Sequence, residues 1–456
     1  MMKLAVCYAL LVLCLHARQV IPGAIDNNNN RLLDDLVKNV IEKRGTTSTN
    51  PASPLDLRVT PGLGSKQYGS ARISVISSAD SPLETGADFF TYNRPFQYRW
   101  KDKYLHSKLE TIITGKNQNT KTFDIKGANF TIRYPLENEG VRGIIIADPC
   151  FHGAYMGCTF GGKFQTFERS TALLNAGAND IDYYMILGDN FYDRYGNLSS
   201  TWYDQLTLEL KSKLFATVAG NHDYWSVGTP LLASKDDQFG NGHMQFYGMD
   251  SISSKNNDVE FLNFTVDPDK ETSGHRMAAM ENFFSYFKIG NAAFLLYSGG
   301  YTYQDTKKYF QEGCAYFKEA KPDIAFILGH WNNAGLGCSK EMDVPAVYEE
   351  IKGMDGCKAL DDKNALKYVM GHTHCNKVVE KDKGFMVAGQ GMEGCGNFGI
   401  PFVDTREGRV EIIYYNVQDL TGADNYEKVL DCFQTKGISN CKDLGTVWLN
   451  HTLESQ

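Results

Sequence analysis

Apolar residues recur along most of this chain in short runs bounded by glycine and polar turns, with helix-spaced segments between the runs. Residues 143–147, 183–187, 215–219, 292–297, 324–328, 368–370, 385–388 and 410–415 read as strands hydrophobic enough to be covered on both faces. Apolar spacing over 166–176, 201–214 and 306–320 predicts helices between several of them. Alternating strands and helices imply a layered α/β architecture. In open α/β sheets, ligand sites lie just beyond the carboxyl ends of the strands, so functional residues should follow these runs directly.

Upstream the pattern differs. Residues 71–76 and 130–134 alternate, and the turns between them carry Gly, Asn and Pro, so 57–140 reads as a small β-rich module. Leu32, Leu33, Leu36, Val37, Val40 and Ile41 give a helical face, and 45–54 is a Thr/Ser/Asn/Pro linker. Residues 18–56 are therefore a helix plus linker or a pro-segment. The apolar run 4–15 behind Lys3 is shorter than the roughly 20 residues a membrane span needs, and Ala17 suits cleavage, so 1–17 reads as a signal peptide. Residues 141–416 form the expected catalytic domain and 417–456 a covering tail. The polar end has neither a lipid-anchor tail nor an ER-retention ending.

Composition narrows the function. The 456 residues, 42% hydrophobic, carry a net charge of −8. That lacks the basic footprint of a nucleic-acid duplex binder. Beyond the leader stand Cys150, Cys158, Cys314, Cys338, Cys357, Cys375, Cys395, Cys432 and Cys441. Their odd number leaves at least one thiol unpaired or bonded to another chain, and no CxxC pair suggests a zinc ribbon. Cys432 and Cys441 are close enough to close a small loop. Sequons at Asn129, Asn197, Asn263 and Asn450 suit a secreted glycoprotein or one of a lysosome-like compartment.

The chemistry sits where the strands end. Ile144-Ile145-Ile146-Ala147 leads to Asp148, and Met185-Ile186-Leu187 leads to Gly188-Asp189-Asn190-Phe191-Tyr192. Ala216-Thr217-Val218-Ala219 leads to Gly220-Asn221-His222-Asp223, Phe326-Ile327-Leu328 to Gly329-His330, and Val369-Met370 to Gly371-His372-Thr373-His374. Taken singly, a Gly-Asp is an ordinary turn and a His-x-His an incidental pair. Five metal-capable clusters in this order, all at strand ends, are not explained as satisfied core polar groups.

This set resembles the calcineurin-like metallophosphoesterases, and within them the purple (tartrate-resistant-type) acid phosphatases. Their pattern runs Asp, Gly-Asp-x-x-Tyr, Gly-Asn-His-Asp/Glu, a lone His, then Gly-His-x-His. The resemblance covers about 141–415, including the Gly-rich stretch 384–391. It implies a four-layer α/β/β/α sandwich behind the β-rich module. It also implies that Asp148, Asp189, Tyr192 and His374 hold a first metal. Asp189 would bridge to a second, which also takes Asn221, His330 and His372, and His222 would sit beside the substrate. The implied function is a secreted acid phosphatase acting on phosphate monoesters, small molecules or phosphoproteins, by a metal-activated hydroxide.

These residue types suit that chemistry on physical grounds. Two cations about 3.5–4 Å apart offset the repulsion between phosphate and hydroxide and lower the pKa of water toward roughly 7. A phenolate is a hard anion suited to ferric iron. Tyr192 as a ligand therefore implies Fe(III) in the first site, with Fe(II), Zn(II) or Mn(II) in the second; the alternative is that Tyr192 only packs there.

The first block departs from the family: Asp148-Pro149-Cys150-Phe151-His152-Gly153. Cys150 has three readings: a disulfide with Cys158, a bystander thiol, or a thiolate ligand favouring softer ions. His152 reads as a donor near the site or an acid for the leaving group. Tyr224, Trp225 and Trp331 wall the pocket or pack under its loops. Competing functions are a phosphodiesterase or nucleotidase of the same superfamily, against which Tyr192 argues, and an inactive scaffold, against which the complete ligand set argues.

Overall fold

The computed structural model describes residues 53, 55–78, 89–91, 103–152, 158, 163–193, 196–223, 241–259, 280–330, 344–381, 384–389 and 396–453. The leader and the helix-plus-linker reading of 18–56 lie almost wholly outside these residues, as do Tyr224, Trp225, Asn263 and Trp331.

The strands are β1 (Leu57–Pro61), β2 (Ser70–Ser78), β3 (Phe90–Thr91), β4 (Lys103–Thr111), β5 (Thr120–Ile125), β6 (Ala128–Arg133), β7 (Arg142–Ile146), β8 (Tyr183–Leu187), β9 (Leu214–Val218), β10 (Phe284–Ile289), β11 (Ala292–Ser298), β12 (Ile324–His330), β13 (Leu366–Met370), β14 (Lys377–Glu380), β15 (Phe385–Val387), β16 (Asn397–Asp404), β17 (Arg409–Asp419) and β18 (Thr446–Thr452). They form a ten-stranded sheet in the order β18-β17-β16-β7-β8-β9-β1-β2-β4-β3, a six-stranded sheet β10-β11-β12-β13-β15-β14, and the hairpin β5-β6. At the centre of the large sheet β7, β8 and β9 are parallel; β11, β12, β13 and β15 are parallel in the small one.

The two sheets share one core. Ile145, Met185, Leu187, Ala216 and Val218 of the large sheet meet Phe294, Leu296, Phe326, Leu328 and Val369 of the small one. Tyr183 of β8 stands edge-on to Phe294 of β11 at 5.2 Å. Gly143 leaves room for that packing, since a Cβ there would strike the Tyr183 ring.

Helices close the outer faces. Helices α1 (Thr166–Gly177), α2 (Asn197–Asp204), α3 (Leu208–Lys211) and α4 (Asn241–Tyr247) precede β10; α5 (Tyr303–Ala320), α6 (Val344–Lys352), α7 (Cys357–Asp361) and α8 (Tyr426–Lys436) follow β11. Helices α1, α3 and α8 pack on the large sheet, and α5 and α7 on the small one. The chain therefore has the four-layer α/β/β/α order.

Three details refine the sequence reading. The helix expected over 201–214 is two helices, with a new start at Thr207, whose hydroxyl accepts the Leu210 N–H at 3.2 Å. The β-rich segment after Leu57 is continuous with the large sheet: β1 pairs with β9 in parallel and carries β2, β4 and β3 beyond it. The end of the chain supplies α8 and the edge strand β18, with Cys432 bonded to Cys441.

Candidate metal centre

Every strand end singled out by its sequence opens on one buried cluster. Asp148 follows β7, Asp189 and Tyr192 follow β8, Asn221 and His222 follow β9, His330 ends β12, and His372 and His374 follow β13. Asp148, Asp189, Tyr192, Asn221, His330 and His372 are buried, whereas His222 and His374 are partly exposed. That places His222 and His374 at the open side.

The backbone is bent to make this convergence. Among the described residues, Asp148, Asp189, Tyr192, His372 and His374 all have positive φ, between 51° and 92°. Non-glycine residues held in that region cost about 1–3 kcal/mol each and gather where function requires them. Glycine makes the space between them. A Cβ on Gly188 would lie 2.6 Å from His330 Nδ1, and one on Gly371 2.7 Å from the same atom.

The side chains form two overlapping groups. Asp189, His330 and His372 each place a ligand atom within 4.8 Å of the others, as do Asp148, Asp189 and His374. Asp189 belongs to both. In the first group, His330 Nε2 stands 3.4 Å from Asp189 Oδ2, and Asn221 Oδ1 stands 3.3 Å from His330 Nε2 and 3.0 Å from His372 Nδ1. In the second, His374 Nε2 is 3.6 Å from Asp148 Oδ1 and 2.8 Å from the Tyr192 hydroxyl, which is 3.5 Å from Asp148 Oδ1.

The donor set fits cations. His330 Nδ1 lies 2.7 Å from the carbonyl oxygen of Leu187, an acceptor only, so Nδ1 carries the hydrogen. Nε2 then presents a lone pair toward Asn221 Oδ1 and the carboxylates of Asp189 and Asp148, which are acceptors as well. Asp189 Oδ2 is buried with no hydrogen-bond partner. Converging lone pairs need a proton or a metal ion between them.

The titration pattern has the same origin. Burial works against a charged His330, but Asp189 and Asp148 outweigh it and lift its pKa to about 9. Burial, with His330 adding, pushes His372 down to about 3. Burial lifts Asp148 to about 6 against the pull of His330 and His374. Burial would also lift Asp189, yet His330 and His222 hold it well below the usual carboxylate range. The Tyr192 phenol is pushed well up by burial and by the carboxylates around it.

Asp223 had no role in the sequence reading, and the structure gives it one. Fully buried, its carboxylate accepts the backbone N–H of Gly220 at 2.7 Å, of Asp189 at 2.8 Å and of Asn190 at 2.9 Å. It thereby ties the turn after β8 to the turn after β9. Its place at the end of Gly-Asn-His-Asp was the available signal. His222 adds a second tie, its N–H donating to Asp189 Oδ1 at 2.8 Å.

Cys150 is disulfide-bonded to Cys158, which removes the bystander-thiol and thiolate-ligand readings. Cys314 is bonded to Cys357, a pairing the spacing did not suggest, and Cys375 is also disulfide-bonded. His152 Nδ1 is buried without a hydrogen-bond partner. Among the described residues, no helix is long and apolar enough to cross a membrane.

One family model agrees with the geometry. The family model for the calcineurin-like phosphoesterases matches residues 144–376, a little over half of the chain. Among solved structures, a purple acid phosphatase from yellow lupin (Lupinus luteus) seeds is similar at 15% identity and a TM-score of 0.49, over 82% of this chain and 74% of that one. Vacuolar protein sorting 29 from Cryptosporidium parvum is similar at 13% identity and a TM-score of 0.27, over 62% of this chain and 94% of that one. A single mutant of Vps29 from Entamoeba histolytica gives 12% identity and a TM-score of 0.26, over 61% and 93%. No curated protein matches the sequence. With its metal-capable side chains gathered at the ends of five strands and the family model spanning all five of those blocks, this chain belongs to the calcineurin-like phosphoesterases.

Proposed function

We propose that this protein is a secreted acid phosphatase that hydrolyses phosphate monoesters at a two-metal centre. The observation that carries the reading is Asp189, shared by both ligand groups and left with an unpartnered buried oxygen. Asp148, Asp189, Tyr192 and His374 would hold the first ion; Asp189, Asn221, His330 and His372 would hold the second. Tyr192, within hydrogen-bond distance of His374, favours Fe(III) in the first site, with Fe(II), Zn(II) or Mn(II) in the second. When bound, such ions offset phosphate charge and lower the pKa of water toward roughly 7.

The chain's own residues supply the remainder. The Leu187 carbonyl fixes the His330 tautomer and so directs Nε2, as the ligating atom, toward Asp189 and Asn221. Asp223 and the His222 N–H hold Asp189 in place between the two groups. The His222 ring, 4.8 Å from the Tyr192 ring and partly exposed, is placed to hydrogen-bond a phosphate oxygen or to protonate the leaving oxygen. Neutral Asn and His on the second side limit negative charge there, which suits an anionic substrate. Cys150–Cys158, Cys314–Cys357 and Cys432–Cys441 support an oxidising, secretory setting.

The test is hydrolysis of an aryl phosphate monoester, and of the matching diester, across acidic to neutral pH. Monoester turnover favoured at acidic pH, and suppressed in both Asp189→Asn and His222→Ala, is the expected result. Undiminished turnover in either variant, or a preference for the diester, overturns the assignment.

A further inference from the structure

We infer that the Cys150–Cys158 disulfide is a positioning element of the metal centre, seating Tyr192 and Asp148 for the first ion rather than serving only to stabilise the fold. This rests on the two-metal reading above.

Cys150 stands two residues after Asp148, and both half-cystines are almost completely buried. With Tyr192 they form an apolar cluster of their own, apart from the main core between the sheets. The backbone of Cys150 also bridges in parallel to Phe191, the residue before Tyr192. Rings extend the connection: Phe151 packs on Phe167 at 4.6 Å, Phe167 on Phe191 at 5.5 Å, and Phe191 on Trp202 at 4.9 Å. The disulfide thus closes the segment leaving Asp148 on itself, and a backbone bridge, the cluster that both half-cystines form with Tyr192 and a run of aromatic contacts join it to the segment reaching Tyr192.

The phenol needs that support. Tyr192 and Phe191 both have positive φ, a costly conformation for bulky residues. The Tyr192 hydroxyl nevertheless sits 2.8 Å from His374 Nε2 and 3.5 Å from Asp148 Oδ1. A ligand held in an unfavourable backbone state keeps its geometry only if its surroundings over-determine it. Behind Tyr192, the surroundings include this disulfide.

A purely stabilising disulfide predicts something different. In the chain-entropy view, stabilisation grows with the length of the closed loop. Cys314–Cys357, at a separation of 43 residues, should then matter more to stability than Cys150–Cys158, at a separation of 8.

The experiment compares the full-length wild type with Cys150→Ala/Cys158→Ala and with Cys314→Ala/Cys357→Ala. Each is stripped with chelator and titrated with Zn(II) as probe against a chromophoric chelator, and each melting temperature is recorded in the stripped form. Cys150→Ala/Cys158→Ala is expected to bind one of two Zn(II) equivalents about 10–100-fold more weakly, the range seen when groups supporting a ligand are removed. Cys314→Ala/Cys357→Ala is expected to lose more melting temperature while keeping both affinities. If the first pair does not fold, Cys150→Val/Cys158→Ala, which retains more apolar volume, carries the same measurement. Unchanged Zn(II) affinities in the folded first pair, or an equal loss in both pairs, overturn the inference and leave the two-metal reading intact. A wild type that binds no Zn(II) overturns both.

Discussion

The Asp223 carboxylate accepts the backbone N–H of Asp189 at 2.8 Å, so the residue common to both ligand groups is held by an acid from the next strand's turn. The same carboxylate takes the N–H groups of Gly220 and Asn190. Removing it strands three buried donors, each at a cost of about 1–3 kcal/mol. Asp223→Ala is therefore expected to lower stability by several kcal/mol. Asp223→Asn keeps the shape but turns an amide toward one of those donors, and should weaken metal affinity about 10–100-fold. Chemical denaturation and chelator competition measure the two effects; an Asn variant with wild-type affinity would remove Asp223 from the supporting role.

Tyr192 sets a proton count. Burial first, and then Asp148, Asp189 and Asp223, push its phenol well above its ordinary value, so the metal-free protein keeps it protonated at neutral pH. A metal that takes the phenolate must expel that proton. Calorimetric titration in buffers of different ionisation enthalpy should show one proton fewer released by Tyr192→Phe than by wild type. With ferric iron the variant should also lose the visible tyrosinate band. Equal proton release would mean that Tyr192 packs beside the centre without ligating.

Much of this site was legible in the sequence. Parallel strands buried on both faces leave continuous apolar runs, and their polar ends mark where the chain meets the ligand edge, as Ile144-Ile145-Ile146 before Asp148 and Leu328 before His330 show. What stayed hidden depends on contacts between distant segments. The pairing of β1 with β9 joins Val59 to Leu214, and no local pattern specifies it. The break at Thr207 was masked by apolar spacing that runs on through it; it becomes visible once Asn175 Oδ1 is seen accepting the Thr207 N–H at 3.0 Å. Asp223 was visible as a residue type, but the N–H groups it reaches become neighbours only when two turns meet.

His330 gives the metal-free protein a pH dependence. Its pKa of about 9 lies above the ordinary histidine value of about 6.5, so the protonated form stabilises the fold. That contribution is complete below pH ~6.5 and fades as pH rises through about 9. Asp148, raised to about 6, acts in the same sense and His372, lowered to about 3, in the opposite one, both below this window; Lys211 and Lys367, which burial lowers to about 8, oppose the loss from about pH 8 upward. The melting temperature of chelated protein should therefore fall between pH 6.5 and about 8, and the slope should flatten in His330→Asn. Loading metal takes over the Nε2 lone pair and should remove the same slope. A flat profile in the chelated wild type would show that His330 is not protonated there.

Gly220 tests how closely the centre is packed. Its φ lies outside the left-handed region, so the backbone itself tolerates alanine. The space does not: a Cβ there would meet Asp189 Oδ1 and would lie 2.8 Å from His330 Nε2, on the ligand atoms themselves. Overpacking of this kind costs about 1–3 kcal/mol. Here it should also force apart Asp189 and His330, so metal affinity should fall further than the stability loss alone implies. Gly115→Ala is the control, since its new Cβ would meet nothing nearer than Gln118 Oε1 at 3.4 Å. Zn(II) competition titrations on both variants distinguish the cases. Weakened binding in Gly220→Ala with normal binding in Gly115→Ala is expected. Normal binding in both would mean that the turn after β9 can shift without disturbing the residue that the two metal groups share.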